Sequence, residues 1–451
     1  MIYLYLSPMK IFNDLLLKFE RSDWSKNPEL GLIDTILEKN PNLYLLLSDD
    51  ITSDTKTNEF GRKDTPTVEQ VVRAAIYKEY KKMTYRDLEY AQSDSRICLT
   101  FLNLTQGKYY SFQVWQKYIS KIKQESLQQL LVALNQIAIS EGLEDLSAIR
   151  IDSTVIETNI HYPTNSSLVW DCIKEAHRLL NHLAKKEGIK VRDYRSGAKS
   201  NHFKINNSRA DKRVVLFKKQ LVLFTKSINQ VDKFVKKKDY SSIESLGFIT
   251  ALKRLEPLMA QVYSMTDRRE VKGEVVPNDQ KLFSIYELHT DIIVKGGREV
   301  LFGHKVNLTD GKSKLILACE VLKGNPSDSK LFNSTIENVK IDYQKTPKSV
   351  AGDGAYASKS NLDKAVEQGL ANVVFNKVVG SLKSLSSSKN MTTRLKKWRS
   401  GIEATISNLK RGFNIARCNW KGWEHFQSKV LWSVIAYNIR VMTGLVIAKM
   451  E

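Results

Sequence analysis

The sequence is poor in the residues that build thiolate metal sites and disulfide frameworks. Its 451 residues include four cysteines, Cys98, Cys172, Cys319 and Cys418, which lie far apart and form no CxxC pair. The seven histidines show no metal-ligand spacing either. We therefore expect a reducing environment such as the cytosol, and no structural zinc site.

Long apolar runs and internal repeats are also missing. A membrane-spanning helix needs a run of about 18 apolar residues, and we find none, so the sequence predicts no membrane span. The absence of a repeat argues against a solenoid or a propeller. A chain of 451 residues is long enough for two or three domains with a substantial hydrophobic core.

Acidic residues are outnumbered by basic ones. The chain has 70 Lys and Arg residues against 49 Asp and Glu residues, a formal net charge of +21. Such an excess favours a polyanionic partner, although ribosomal and membrane-surface proteins share it. The excess is concentrated in residues 165–280, which contain 24 Lys and Arg against 13 Asp and Glu.

Hydrophobic periodicity and turn residues divide the chain into three predicted parts. Residues 1–142 are predicted to form a helical N-terminal domain, with Thr67 and Thr84 at helix N-termini. Residues 165–280 are predicted to form a basic helical insertion. Residues 143–164 and 281–451 are predicted to form the catalytic domain that this insertion interrupts.

The predicted catalytic domain has a recognisable order of elements. A strand at Ala148–Ile156 precedes the insertion, and strands at Ser284–Val294, Val300–Asn307 and Leu315–Leu322 follow it, with a hairpin turn at Thr309–Lys312. Alternating helices and strands come next, then a basic loop at 381–397 and two closing helices. This order predicts an α/β fold, an RNase H-like mixed sheet flanked by helices, with the helical insertion between the first and second strands.

Three acidic residues stand in settings that suit metal-dependent phosphodiester chemistry. Asp152 follows an apolar run, Asp353 lies between Gly352 and Gly354, and Glu403 lies in a predicted helix. Two divalent ions can serve both ends of an in-line displacement at phosphorus, and such ions prefer carboxylate oxygens. The sequence therefore predicts that these three carboxylates bind Mg²⁺ or Mn²⁺, two ions per site.

Simpler interpretations exist for each of these residues. A single Asp at a strand end is most often solvated or caps a turn, and Gly-Asp-Gly is also an ordinary turn sequence. Arg399 and Glu403 are four residues apart and would form a surface ion pair on a helix. Alternatively Arg399 and Lys410, on the same predicted helix face as Glu403, bind DNA phosphates beside a metal-bound carboxylate.

At this point the chain resembles a known family. The segments Ile151–Asn165, Phe302–Asn307, Gly352–Tyr356 and the Glu403 helix are similar to those of bacterial insertion-sequence DDE transposases, in a group close to the "IS four/five" type. The resemblance covers most of residues 60–445. It implies an RNase H-like catalytic domain in which Asp152, Asp353 and Glu403 are the metal-binding and catalytic triad.

The C-terminal signature of that family is matched in part. It reads Tyr, two residues, Arg, three residues, Glu, six residues, Lys, and Arg399, Glu403 and Lys410 fit this spacing. The tyrosine position is Lys396 here, which leaves that residue's role without a counterpart. The resemblance implies metal-dependent DNA cleavage and strand transfer, whereas the pattern alone supports only a metal-dependent nuclease.

Further residues are candidates for contacts with DNA. Residues 65–118 are a candidate for binding the terminal inverted repeats, although many three-helix units share that pattern. Trp398, Trp420 and Trp423 flank the Glu403 helix and would stack on unpaired bases, unless they are core residues. Basic residues of the insertion are predicted to bind phosphates, or else to form a solvated face; they are Arg192, Arg195, Lys199, Lys204, Lys212 and Arg213.

These expectations define one preferred function and two alternatives. The preferred one is a cytoplasmic transposase of the bacterial nucleoid. It binds its element's ends through a helical N-terminal DNA-binding domain, residues 1–142, also binds target DNA, and assembles as a homodimer on the DNA ends, without membrane contact. The alternatives are a non-catalytic, transposase-derived DNA-binding protein and a stand-alone metal-dependent nuclease.

Overall fold

The structure, a computed structural model, describes residues 24–53, 65–105, 107–237, 239–240, 242–295, 299–376, 382 and 384–450. They divide into two compact units, one built from residues up to Glu157 and from Gly303 onward, the other from Thr158–Phe302. Each unit is described by itself below.

Within the described residues, seven α-helices precede the first strand, and the sequence predicted two of their N-termini. They are α1 Pro28–Lys39, α2 Asn42–Thr52, α3 Val68–Tyr80, α4 Tyr85–Asp94, α5 Arg96–Phe101, α6 Phe112–Ile119 and α7 Gln124–Ser140. The Thr67 hydroxyl accepts a hydrogen bond from the Gln70 backbone N–H, and the Gln70 side-chain oxygen accepts one from the Thr67 backbone N–H. Thr84 and Asp87 form the same reciprocal arrangement. Both capping boxes satisfy backbone donors that a helix start leaves unpaired.

The described strands form one seven-stranded mixed sheet. They are β1 Ala148–Thr158, β2 Asp291–Lys295, β3 Glu299–Asp310, β4 Ile316–Val321, β5 Ser349–Asp353, β6 Asn372–Asn376 and β7 Arg417–Cys418. The order is β2-β3-β1-β5-β6, with β4 paired to β3 and β7 paired to β1. β1 is antiparallel to β3 and parallel to β5, which is parallel to β6. The predicted RNase H-like mixed sheet is thereby confirmed.

The second unit contains four long helices that lie between β1 and β2 in the described part of the chain. They are α8 Asn165–Glu187, α9 Arg195–Asn206, α10 Ala210–Lys236 and α11 Ile243–Thr266. The apolar seam of α10 explains why they pack together: Leu221, Phe224 and Val231 are buried in the core of this unit. The seam therefore serves packing onto neighbouring helices.

The remaining helices follow β4. They are α12 Asp328–Tyr343, α13 Lys359–Glu367, α14 Lys389–Arg399, α15 Gly401–Gly412 and α16 Trp423–Met450. α14 corrects the prediction of a basic loop at 381–397, of which residues 381 and 383 lie outside the described residues. Ser388 accepts a hydrogen bond from the Met391 backbone and so caps this helix. A run of good helix formers, Arg394 to Lys397, then outweighs the local abundance of serine.

Two predicted strands also have different bounds. β2 is much shorter than the predicted strand Ser284–Val294, because the Ser284 hydroxyl accepts from the backbones of Tyr286 and Glu287 and holds a turn there. β3 continues through Asp310, which was predicted to be part of the turn. Asp310 pairs with Arg150 of β1 across the sheet, and its side chain is buried.

α16 is the central helix of the first unit. By length and composition this helix could cross a membrane, which corrects the prediction that the sequence contains no such segment. However, 67% of its most apolar 18-residue stretch is buried inside the protein. Val430 and Ile435 lie in the same hydrophobic core as Ile76 of α3, Leu131 of α7 and Val306 of β3. A helix that is apolar on all faces is accounted for by this burial.

That shared core makes the compact units differ from the predicted domains. Residues before 142 were predicted to form a separate domain, yet helices α1–α7 belong to the same unit as most of the sheet. The reason is that α16, at the far end of the sequence, packs on α1, α3, α7 and β4. Only the insertion, with its flanking segments, forms a second unit.

Candidate active site

Two of the three predicted carboxylates come from adjacent parallel strands. Ile151 of β1 pairs with Gly352 of β5, so Asp152 and Asp353 each follow the last paired residue of this ladder. The side chain of Asp152 is 15% exposed and that of Asp353 is 37% exposed. β5 ends at Asp353, where a short 3₁₀ turn over Gly354–Tyr356 begins. The sheet thus brings the two aspartates together at one edge of the ladder.

Glu403 approaches the same place from the first turn of α15. The predicted single helix through Arg399, Glu403 and Lys410 is interrupted at Ser400, which ends α14 and precedes α15. Ser400 keeps right-handed helical angles, φ −59° and ψ −21°. The four-residue spacing therefore still brings Arg399 and Glu403 into contact.

One guanidinium connects all three carboxylates. Arg399 Nη2 donates to Asp152 Oδ2 at 2.6 Å, and Nη1 donates to Glu403 Oε1 at 2.8 Å. Nη1 also lies 3.9 Å from Asp353 Oδ1. The Arg399 side chain is only 5% exposed, whereas that of Glu403 is 62% exposed. The three acidic residues therefore surround a buried cation.

Burial changes the acidity of the innermost carboxyl. It raises the pKa of Asp152 to about 6, although the charge of Arg399 and the Ser153 backbone donor favour the ionised form. Asp353 and Glu403 add repulsion in the same direction as burial. A carboxylate with this balance gains from any additional positive charge placed beside it.

The donor chemistry of this cluster fits a hard divalent cation. Asp152, Asp353 and Glu403 supply carboxylate oxygens, the ligands that Mg²⁺ and Mn²⁺ prefer. Among the described residues, no three His, Cys, Asp or Glu side chains are placed to hold a metal ion as they stand. The carboxylates are instead directed at Arg399, so an ion shared by them would have to take over its contacts.

A second buried ion pair joins β1 to β3 and was not predicted from the sequence. Arg150, two residues before Asp152, pairs with Asp310 of β3. A charged residue inside the apolar run Ala148–Ile151 was a signal that could have been followed. Asp310 gave no such signal, because Thr309–Lys312 also suits an ordinary hairpin turn.

The segment Gly303–Asn307, which carried part of the family resemblance, supports the sheet. A β-carbon at Gly303 would lie 2.0 Å from the Ile156 carbonyl oxygen, so only glycine allows this approach of β3 to β1. Asn307 accepts from the Tyr356 hydroxyl and donates to Thr335 of α12. Asn307 thereby fixes the turn that follows Asp353.

The predicted phosphate-binding residues lie in both units. In the first, Lys410 is half-buried in the last turn of α15. In the second, Arg195 is engaged by Asp193, with Nη2 to Oδ2 at 2.6 Å. Arg213 donates to the Ser208 carbonyl. The other predicted residues of the insertion have exposed side chains; they are Arg192, Lys199, Lys204 and Lys212.

The three predicted stacking tryptophans all pack on protein groups. Trp398 lies under the Arg150 guanidinium, 4.6 Å from ring centre to Cζ. Trp420 stacks on Tyr85 at 6.0 Å. Trp423 contacts the buried His304 ring at 4.7 Å. All three are half-buried, so the structure assigns them packing contacts, and stacking on bases stays a prediction.

Comparison with known proteins identifies the part of the chain that contains most of this site. Residues 290–439 match the family model of the transposase DDE domain. This part of the chain is a transposase DDE domain. Asp353, Arg399 and Glu403 lie inside the matched DDE domain and Asp152 precedes it. The match does not reach the narrower insertion-sequence group, and no curated protein and no solved structure matches the chain significantly.

Proposed function

We propose that this protein is a transposase that binds the ends of its insertion element and catalyses metal-dependent DNA cleavage and strand transfer. The observation that carries this proposal is the convergence of Asp152, Asp353 and Glu403, from two strands and a helix, on the single guanidinium of Arg399. Three carboxylates clustered around one buried cation indicate a site that binds positive charge.

In this proposal Asp152, Asp353 and Glu403 hold two Mg²⁺ or Mn²⁺ ions. Bound ions of this kind lower the pKa of a water molecule and stabilise the leaving oxygen of a phosphodiester. The residues of this chain hold and orient those ions through their carboxylates. Lys410 and the displaced Arg399 contact scissile-strand phosphates, because charge-assisted hydrogen bonds position the backbone.

Terminal-repeat recognition is assigned to the helices between 65 and 118. Arg86, Arg96 and Lys117 have exposed side chains there. Tyr90 and Tyr109 are 72% and 63% exposed and so present their aromatic rings to solvent. Cations for phosphates and rings for bases or sugars are the groups that nucleic-acid surfaces combine. The exposed lysines of the insertion add phosphate contacts, and a homodimer on paired ends is the proposed assembly.

The test is cleavage of DNA carrying the element's own ends. Purified protein should nick or cut that DNA with Mg²⁺ or Mn²⁺ and lose activity in EDTA. Asp152→Asn, Asp353→Asn and Glu403→Gln should each lower the rate by at least about a hundredfold, because each removes a metal-binding charge worth several kcal/mol. Each should still bind the DNA.

Glu337→Gln, at an exposed position of α12, is the matched control for the loss of one carboxylate charge outside the cluster. Full activity in EDTA, or near-normal cleavage by any one of the three carboxylate variants, would refute the metal-dependent assignment. Joining is measured separately with a pre-cleaved end and a supercoiled target plasmid. Cleavage without joining would leave only the nuclease.

A further inference from the structure

A buried charge pair lies directly behind the candidate active site. Arg150 binds Asp310 with two hydrogen bonds, Nε to Oδ1 at 2.7 Å and Nη2 to Oδ2 at 2.5 Å. The side chains are 3% and 0% exposed. Thr405 of α15 donates to the same Asp310 Oδ2 at 2.8 Å. The pair thus joins β1 and β3 to the helix that carries Glu403.

The third arm of the guanidinium reaches the helix junction. Arg150 Nη1 donates to the Trp398 carbonyl oxygen at 2.9 Å, which also accepts from the Ser400 backbone N–H at the end of α14. A cation is also favoured at this negative end of a helix. The flat guanidinium lies over the Trp398 ring. Arg150 therefore caps α14 from the sheet.

At Gly401 the junction of α14 and α15 packs closely against the Arg150 guanidinium. A β-carbon on this residue would lie 2.1 Å from Arg150 Nη1. No side chain fits at position 401 while the guanidinium keeps its place. Of the two residues that Arg150 contacts here, Trp398 directly precedes Arg399 in the sequence, and Gly401 precedes Glu403 by two residues. The junction of α14 and α15 is consequently held at one point.

We infer that Arg150 is a positioning residue for the active site, acting with Asp310 through the junction of α14 and α15. Residues two apart on a strand face the same side, so β1 presents Arg150 to the junction and Asp152 to the cluster. The Arg150–Asp310 pair then sets the distance from Asp152 to Glu403. This inference rests on the proposed function, because it concerns the geometry of the same three carboxylates.

The experiment uses mild substitutions around Arg150, because breaking the buried pair itself would risk unfolding. Gly401→Ala pushes the guanidinium away from the Trp398 carbonyl. Thr405→Val removes the hydroxyl that holds Asp310, while Thr405→Ser keeps it. The matched controls are Gly444→Ala, where an added β-carbon meets nothing within 4 Å, and Thr393→Val, whose hydroxyl only bonds its own helix backbone.

The readout is single-turnover cleavage of end DNA, together with DNA affinity and melting temperature. We expect Gly401→Ala and Thr405→Val to cut about tenfold to a hundredfold more slowly, since small misplacements of reacting groups have effects of this size. DNA affinity should stay unchanged, and Thr405→Ser and both controls should cut normally. Normal cleavage by both test variants, or failure of Thr405→Ser to restore the rate, would overturn the inference.

A double variant separates positioning from general damage. Gly401→Ala and Thr405→Val act on the same charge pair, so together they should slow cleavage much less than the product of the two single effects. A combined effect equal to that product would overturn the inference, because it would mean that the two residues act independently.

Emission from Trp398 tests the support without any catalysis. The contribution of Trp398 is the difference between each protein and the same protein with Trp398→Phe. Both Gly401→Ala and Thr405→Val should change it, because the cation over the ring moves. An inactive wild type would refute the proposed nuclease, whereas unchanged Trp398 emission in both variants would refute the positioning role of Arg150.

Discussion

Arg399 Nη2 lies 2.6 Å from Asp152 Oδ2, and the other terminal nitrogen of the same guanidinium lies 2.8 Å from Glu403 Oε1. One cation thus joins a carboxylate of β1 to a carboxylate of α15. The sequence suggested two separate roles, a phosphate contact or a surface ion pair. The geometry instead combines a buried guanidinium with three acidic partners, which predicts competition between Arg399 and any divalent ion.

The first prediction concerns this competition. Arg399→Gln should bind Mn²⁺ more tightly than the wild type in the absence of DNA. Each charge-assisted hydrogen bond that an ion must replace is worth roughly 1.5–3 kcal/mol, so removing the competitor should raise the affinity by about tenfold to a hundredfold. The measurement is free Mn²⁺ by electron paramagnetic resonance, or calorimetric titration.

Arg411→Gln is the matched control for the first prediction. It removes the same charge from an exposed position on α15 and should leave the Mn²⁺ affinity unchanged. Weaker Mn²⁺ binding by Arg399→Gln would show that Arg399 organises the carboxylates rather than competing for them.

The second prediction concerns stability and pH in metal-free protein. Burial raises the pKa of Asp152 to about 6 from an ordinary 3.8. Between these values the folded protein keeps a proton that the unfolded chain has lost, so the free energy of unfolding falls as pH rises. The full shift corresponds to about 3 kcal/mol. Asp152→Asn should lack this contribution.

Urea unfolding in EDTA at pH 4.5, 5.5 and 7, for wild type and Asp152→Asn, measures it as a difference. The wild type should lose stability relative to the variant as pH rises across this range. Other carboxyl groups with a raised pKa, such as those of Glu320 and Asp342, cancel in this difference. A difference that is constant with pH would contradict the raised pKa of Asp152.

Local sequence signals predicted those elements whose determinants are local. Residues that favour helix starts placed the N-termini of α3 and α4, alternation placed β1, and the order of the elements along the chain predicted the mixed sheet. α14 was wrongly predicted to be a loop, because the serine and lysine content outweighed the cap at Ser388. The predicted length of β2 was wrong as well, because hydrophobic periodicity does not reveal the hydrogen bonds that the Ser284 hydroxyl accepts.

Contacts between residues that lie far apart along the chain could not be predicted from the sequence. No local pattern connects Arg150 with Asp310, which is 160 residues away along the chain, or with the carbonyl of Trp398. The same holds for α16, whose apolar faces indicate burial but not its partners α3 and α7. The burial of Arg399 also follows only from the packing of α14 and α15 against the sheet.

The third prediction concerns the basic insertion. Lys199 and Lys204 have exposed side chains, whereas Arg195 already binds Asp193. Replacing both lysines with alanine should therefore make the salt dependence of DNA binding shallower by about 1.8 in the slope of log K against log salt, since each neutralised phosphate contributes about 0.9. Replacing Arg195 alone should change this slope less.

Fluorescence anisotropy with end DNA from 50 to 300 mM salt, on the order of the range in which counterion release dominates, gives these slopes. Lys253→Ala with Arg254→Ala removes two exposed charges from α11 of the same unit and serves as the control. A slope unchanged in the Lys199 and Lys204 variant would place that face of the insertion away from DNA.

The last prediction concerns Lys410, which follows Glu403 by two turns of α15. If Lys410 contacts a phosphate of the scissile strand, Lys410→Ala should slow single-turnover cleavage by roughly tenfold to a hundredfold, the value of one charge-assisted contact. Melting temperature should hardly move, because a half-buried lysine near a helix end contributes little to folding. Arg411→Ala, the neighbouring exposed cation, should cut at the normal rate. Equal losses in both variants would indicate a general field effect of the helix, and a normal rate for Lys410→Ala would restrict the role of α15 in the site to Glu403.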